Sequence, residues 1–192
     1  MFEKKFQRRD ILKMGFGAFV AASVPMLTCG VANAALNLAH NGSHAGSWSI
    51  AMRHTHTGET FSGIYRVGDK YSPQAFHRLN HFLRDFRTGD VFAMDPHVID
   101  VISLIQAKTR HKAPLDIISG YRCPATNAML HETTSGVATN SMHLYGKAID
   151  IRMPGYNTHH LRQIAVSLKA GGVGYYPSSD FVHVDTGRVR YW

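Results

Sequence analysis

The chain has 192 residues, 44% hydrophobic and 18% charged, with 21 Lys and Arg against 13 Asp and Glu and a net charge of +8. This is ordinary globular composition with length enough for one domain and a proper core, and it excludes a repeat or low-complexity architecture. The positive charges are scattered rather than clustered, so the excess points to a polyanionic envelope and away from nucleic acid.

Residues 1–34 differ from the rest. A basic stretch carries Arg8 and Arg9 ahead of Ile11 and Leu12, a short apolar run follows, and Ala32, Asn33 and Ala34 supply small residues for cleavage. The run is too short for a comfortable membrane span, so the segment reads as an export signal cleaved after Ala34. Its "RRDILK" core is similar to a twin-arginine signal, which carries folded proteins to the periplasm or cell envelope. Thr28 and Leu27 before Cys29 fit poorly with a lipid anchor, so the mature chain is not expected to be an integral membrane protein. Cleavage leaves 16 Lys and Arg against 11 Asp and Glu, and Cys123 as the sole cysteine, which excludes an internal disulfide.

Residues 35–46 are polar and Gly-rich, a flexible lead-in to a domain over 47–192. Alternation from Ser47 to Gly68, with a turn at Thr57-Gly58, predicts a hairpin. His54 and His56, two apart, would share one strand face. With no third ligand nearby, they read as a solvated face rather than a metal pair.

Ser72 and Pro73 open an amphipathic helix whose apolar stripe runs from Phe76 to Phe86, with Gly89 beyond it. His77 and His81, four apart at a metal-compatible spacing, lie beside that stripe and read as a solvated or satisfied pair. Asp95 and Pro96 open a second helix with Val98, Ile102 and Ile105 inward. A buried strand, "APLDIISGYR", a short helix from Pro124, and a loop of about a dozen residues come next. "KAIDIRM" is a strand, "THHLRQIAVSLKAGG" a helix, and "VGYY" and "FVHVDTG" are two closing strands. Mixed hairpin and helix connections predict an α+β fold with a small, mostly antiparallel sheet flanked by helices.

Strand alternation turns Ile149 and Ile151 to one face and Asp150 to the other. In the last strand His183 and Asp185 face away from Val182 and Val184. If the two strands are neighbours, Asp150 and His183 converge, and His143 in the preceding loop folds over them. Two imidazoles and one carboxylate are zinc ligand types, and three ligands keep a fourth position for water. Asp180, three residues before His183, stands where a proton acceptor would be needed. Asp185 is placed to orient a ligating imidazole. A lone His-x6-Asp is weak by itself, and a satisfied buried histidine remains open at this point. Cys123 reads as a packing residue.

Three blocks in order, "SGYRCPATN", "NSMHLYGKAIDI" and "GVGYYPSSDFVHVDTGRVRYW", resemble the zinc-dependent murein endopeptidases of the YcbK/MepK type. That family lies in the wider clan of zinc D-alanyl-D-alanine peptidases and hedgehog signalling domains. The resemblance implies a hedgehog/DD-peptidase-like fold with His143, Asp150 and His183 as zinc ligands and Asp180 as general base. It implies that Arg122 binds a substrate carboxylate or steadies the oxyanion, which suits its planar fork. Some relatives carry a histidine where Ser178 stands, which leaves the oxyanion-stabilising partner open. The implied activity is hydrolysis of amide bonds in the stem-peptide cross-links of peptidoglycan. The alternatives are a D-alanyl-D-alanine carboxypeptidase and a non-catalytic zinc-binding wall module.

Overall fold

The structure is a computed structural model and describes residues 46–134 and 136–192. The expected export signal, its Cys29 and all of the lead-in but Gly46 lie outside the described residues. Among the described residues, no helix is long and apolar enough to cross a membrane.

Strands β1 (Ser47–His54) and β2 (Thr60–Val67) form the expected antiparallel hairpin, and a short β3 (Lys70–Tyr71) follows. Helix α1 covers Pro73–Phe82 and α2 covers Pro96–Thr109. Each is opened by the expected cap: Ser72 accepts from the Ala75 amide and Asp95 from the His97 amide, with Pro at the first position. The two helices carry the chain across to β4 (Leu115–Ser119), which pairs with β1 in parallel. Helix α3 (Pro124–Thr133) leads into a 3-10 turn over Met142–Tyr145 and then β5 (Ala148–Arg152). Helix α4 (Thr158–Leu168), β6 (Gly172–Tyr176), a 3-10 turn at Pro177–Ser179, β7 (Phe181–Asp185) and β8 (Arg190–Tyr191) complete the chain.

One sheet of eight strands results, in the order β3-β2-β1-β4-β5-β7-β6-β8. The α+β expectation holds, with mostly antiparallel pairing interrupted by the parallel β1/β4 and β6/β8 pairs. Helices α2 and α4 contact each other and the sheet, which is where the core sits. Ile99, Ile102 and Ile105 of α2 and Leu161 of α4 are fully buried beside Leu115, Ile117, Ile149 and Ile151 of the strands. Burying each such side chain contributes roughly 1.5–3 kcal/mol, and together they fix the sheet as the platform of the site.

Two expectations are corrected. The first helix stops at Phe82 rather than running towards Gly89. Past it, the buried Asp85 carboxylate accepts from the Arg87 and Cys123 amides, and the Asp85 amide donates to the Asp90 carbonyl. These bonds pin residues 85–90 as a turn, and tertiary anchoring overrides the helical periodicity. The His54/His56 pair is not a solvated face. His54 is wholly buried at the end of β1, its Nδ1 accepting from the His56 and Thr57 amides. His56 lies in the following turn and stacks on Phe86 at 4.1 Å. His77 and His81 are exposed, as expected.

Candidate metal centre

Strands β5 and β7 are antiparallel neighbours, and their register sets Asp150 directly opposite His183. Ile149 and Ile151 enter the core, so alternation turns Asp150 to the other face. That face is also covered: Asp150 is 3% and His183 7% exposed. His143 reaches the same spot from the 3-10 turn, which Ser141 opens by accepting from the His143 amide. Gly146 closes the turn at φ 62°, where a Cβ would also strike the Ala93 carbonyl, so only glycine fits.

The outer contacts of the two rings fix their tautomers. His143 Nδ1 lies 2.6 Å from the Gly120 carbonyl, which can only accept, so Nδ1 carries the proton and Nε2 presents a lone pair. His183 Nε2 lies 3.0 Å from Asp185 Oδ2, again an acceptor, so His183 Nδ1 presents its lone pair inward. These two nitrogens and Asp150 Oδ1 stand 3.2, 3.2 and 2.8 Å apart. Around a tetrahedral ion with bonds of about 2.1 Å, donor atoms would stand about 3.4 Å apart. With both rings neutral, three acceptors thus meet at nearly the right spacing, and only a positive charge can join them. That is the polarity a cation requires, and among the described residues this is the only such group.

The charges agree. Burial pushes the Asp150 carboxyl up, but His143, His183 and Arg122 overcome it and hold the group well below the usual carboxylate range. Burial lowers His143 despite Asp150. His183 also feels burial pulling down, yet the carboxylates of Asp150 and Asp185 on either side of the ring raise it. An anion with two imidazoles in a dry setting draws in positive charge, as a proton or as a metal.

The surroundings hold the donors in place. Arg122 Nη2 bonds Asp150 Oδ2 at 2.5 Å and its Nε bonds Ser119 Oγ at 2.9 Å, so this edge of its fork is committed within the fold. Asp185 does what its strand position suggested and meets His183. Its own partner, Arg190 of β8, was missed: a bidentate pair at 3.0 and 2.7 Å. No spacing rule links Arg190 to the site, because β8 is two residues long and its pairing to β6 is visible only in three dimensions. Ser119 and the Gly120 carbonyl were missed likewise.

A cavity of about 590 Å³ opens over the cluster, with Arg122, His143, Asp150 and His183 on its wall. Trp192 lines it too, its indole 5.4 Å from the His183 ring and its Nε1 donating to the Tyr176 hydroxyl. Asp180 is placed elsewhere. It caps the Pro177–Ser179 turn at φ 52°, accepts from the Thr158 hydroxyl, and lines a separate small pocket with Tyr156, His159 and Tyr175. Its neighbour Ser179 faces the large cavity. Cys123 is buried, and its sulfur accepts from the Thr126 amide as the cap of α3.

An α+β domain with a buried His-Asp-His cluster at the floor of an open cavity fits the metallopeptidase class of hydrolases. The family model described as peptidoglycan L,D-endopeptidase MepK matches residues 43–192. A probable peptidoglycan L,D-endopeptidase MepK of Haemophilus influenzae is 42% identical over 144 residues, 74% of this chain and 77% of that protein. The peptidoglycan L,D-endopeptidase MepK of Escherichia coli K12 is 38% identical over 143 residues, 74% of this chain and 79% of that protein. The chain belongs to the MepK peptidoglycan L,D-endopeptidase family.

Proposed function

We propose that this protein is a zinc-dependent murein endopeptidase that hydrolyses amide bonds in the stem-peptide cross-links of peptidoglycan. The observation that carries the metal is the convergence of His143 Nε2, Asp150 Oδ1 and His183 Nδ1 at nearly ligand spacing. Two nitrogens and one carboxylate oxygen suit zinc, and three protein donors under an open cavity suit a catalytic rather than a closed site. Once bound, the ion would supply Lewis acidity to the scissile carbonyl and to an attacking water.

The chain's own residues supply the rest. Gly120 and Asp185 lock the two imidazoles in the tautomers that point bare nitrogens inward. Arg122 takes Asp150 Oδ2 and so turns Oδ1 to the cluster. Asp180 is the proposed proton acceptor. In the present conformation its carboxylate is bonded to Thr158, and taking up the role requires exchanging that bond for the cavity. Catalytic hydrogen bonds commonly form only with substrate in place. A peptidoglycan substrate puts the protein in the cell envelope, and the twin-arginine-like segment is the proposed route there.

The test is incubation of the purified protein with cross-linked muropeptide dimers, products being identified by mass. Monomers should appear, vanish with chelator and return with zinc. Release of a terminal D-alanine alone would make the protein a carboxypeptidase. No product from zinc-loaded material would leave a binding module.

A further inference from the structure

The cavity above the cluster carries three arginines, Arg87, Arg122 and Arg190, and among the described lining residues a single carboxylate, Asp150. Two of the three cations are neutralised within the fold, Arg122 by Asp150 and Arg190 by Asp185. Arg87 is different. Among the described residues no carboxylate lies within ion-pair distance of its guanidinium.

Arg87 is nevertheless held in place. It sits on the turn that ended the first helix early. Asp85, 1% exposed, accepts from the Arg87 amide at 3.0 Å with one oxygen and from the Cys123 amide at 2.9 Å with the other. A single buried carboxylate therefore ties the backbone of Arg87 to the residue next to Arg122. The guanidinium lies 4.2 Å from the centroid of Phe86, a cation–π contact. Phe86 is itself braced by the stacked ring of His56. This arrangement anchors the Arg87 backbone at the cavity wall and rests its exposed guanidinium on Phe86, on the same wall as Arg122, and like charges so placed favour an anion from outside.

Resting on the peptidoglycan reading above for the class of ligand, we infer that Arg87 is a substrate-specificity residue that binds a free carboxylate of the stem peptide away from the scissile amide. The role expected of Arg122 from the sequence thus passes in part to Arg87, because Arg122 is engaged with the ligating Asp150. An arginine fork on a braced turn loses little freedom on pairing with a carboxylate, which suits it to discriminate an acidic peptide from its amide.

The test uses zinc-loaded full-length protein and a stem tripeptide, which has no cross-link to hydrolyse, alongside the same peptide with its carboxylates amidated. Calorimetry should show wild type preferring the acid by roughly tenfold, the size of one charge-assisted hydrogen bond. R87A should erase most of that preference, R87K should restore part, and R188A, exposed and off the cavity, should leave it intact. Zinc content should be unchanged in R87A, its thermal midpoint should fall only by the loss of one cation–π contact, and KM for a cross-linked dimer should rise with kcat preserved. Equal binding of both peptides by wild type, or a preference that survives in R87A, overturns the inference. Cleavage of dimers is scored separately: if wild type discriminates but never cleaves, the hydrolytic reading falls and the carboxylate site stands.

Discussion

Two buried aspartates show how the same side chain serves opposite purposes in the two halves of the sheet. Asp100, on α2 beneath β2 and β3, receives the Tyr65 hydroxyl at 2.9 Å, the Tyr71 hydroxyl at 2.6 Å and Arg66 Nη1 at 2.8 Å. All three are donors, so the carboxylate is satisfied within the fold. Burial, reinforced by Asp100, also keeps both phenols protonated by raising their pKa values. Asp150 instead faces two imidazole nitrogens that have spent their protons outward. Burial and charge are alike in the two regions. What separates a carboxylate satisfied by the fold from one that can take a cation is whether protons reach both of its oxygens: Arg122 serves Asp150 Oδ2 and leaves Oδ1 to the imidazoles.

Matched substitutions break that comparison most sharply. Asp150→Ala should abolish hydrolysis and zinc retention together, read by elemental analysis beside the muropeptide assay. Asp100→Ala should leave zinc content and activity per folded molecule intact but cost about 3–5 kcal/mol of stability, since it strands Arg66 and two phenols. Chemical denaturation measures the second effect. Comparable activity losses in both variants, corrected for folding, would erase the distinction.

Asp180 is the next largest. Asp180→Ala should lower turnover by about 10²- to 10⁴-fold, the usual contribution of a positioned proton acceptor, with zinc content unchanged. Full turnover in that variant removes Asp180 from the mechanism and leaves it as the partner of Thr158 alone.

The donors themselves were legible in the sequence because period-two alternation is a strong signal. Ile149 and Ile151 had to enter the core, so Asp150 had to face the other way, and Val182 and Val184 did the same for His183 and Asp185. Pairing of the two strands then made the site. The helix openings were legible for a similar reason, since Ser72-Pro73 and Asp95-Pro96 state their geometry locally. What escaped was set by contacts distant in the chain. Helix α1 ends because Asp85 bonds to Cys123, 38 residues away. His54 is buried because Phe82 and Phe86 close over it. Arg190 reaches Asp185 because β8 folds back beside β6. None of these has a periodicity to read.

His54 gives a pH test that sharpens the contrast between satisfied and unsatisfied burial. Burial, and then the nearby His56, lower its pKa to about 4 against the opposing pull of Glu59. The unfolded chain takes up this proton near pH 6.5 and the folded chain only near 4, so stability is lost as pH falls between those values. The loss is at most about 3 kcal/mol. His54→Asn keeps an acceptor for the His56 and Thr57 amides and removes the titration. Urea midpoints for the variant should therefore fall less steeply than wild type between pH 6.5 and 4. Parallel slopes would show that His54 is not the group responsible.

Asp185 stands between the two cases. Like Asp100 it meets only donors: Oδ1 accepts from the Gly172 and Gly187 amides and Arg190 Nη1, and Oδ2 accepts from Arg190 Nη2 and His183 Nε2. Like Asp150 it belongs to the proposed metal centre, but only through the tautomer of His183. Five donors converge on two oxygens, so Asp185→Asn, with one oxygen and an NH₂ in place of the other, turns a donor either on His183 Nε2 and Arg190 Nη2 or on the two glycine amides and Arg190 Nη1. The expected result is a folded protein whose zinc affinity, measured by competition with a chromogenic chelator, is about 10- to 100-fold weaker. Arg190→Lys keeps the charge and loses the fork, so it should fall between wild type and Asp185→Asn. Unchanged affinity in both variants would mean that strand register alone holds His183 and that Asp185, like Asp100, serves only the fold.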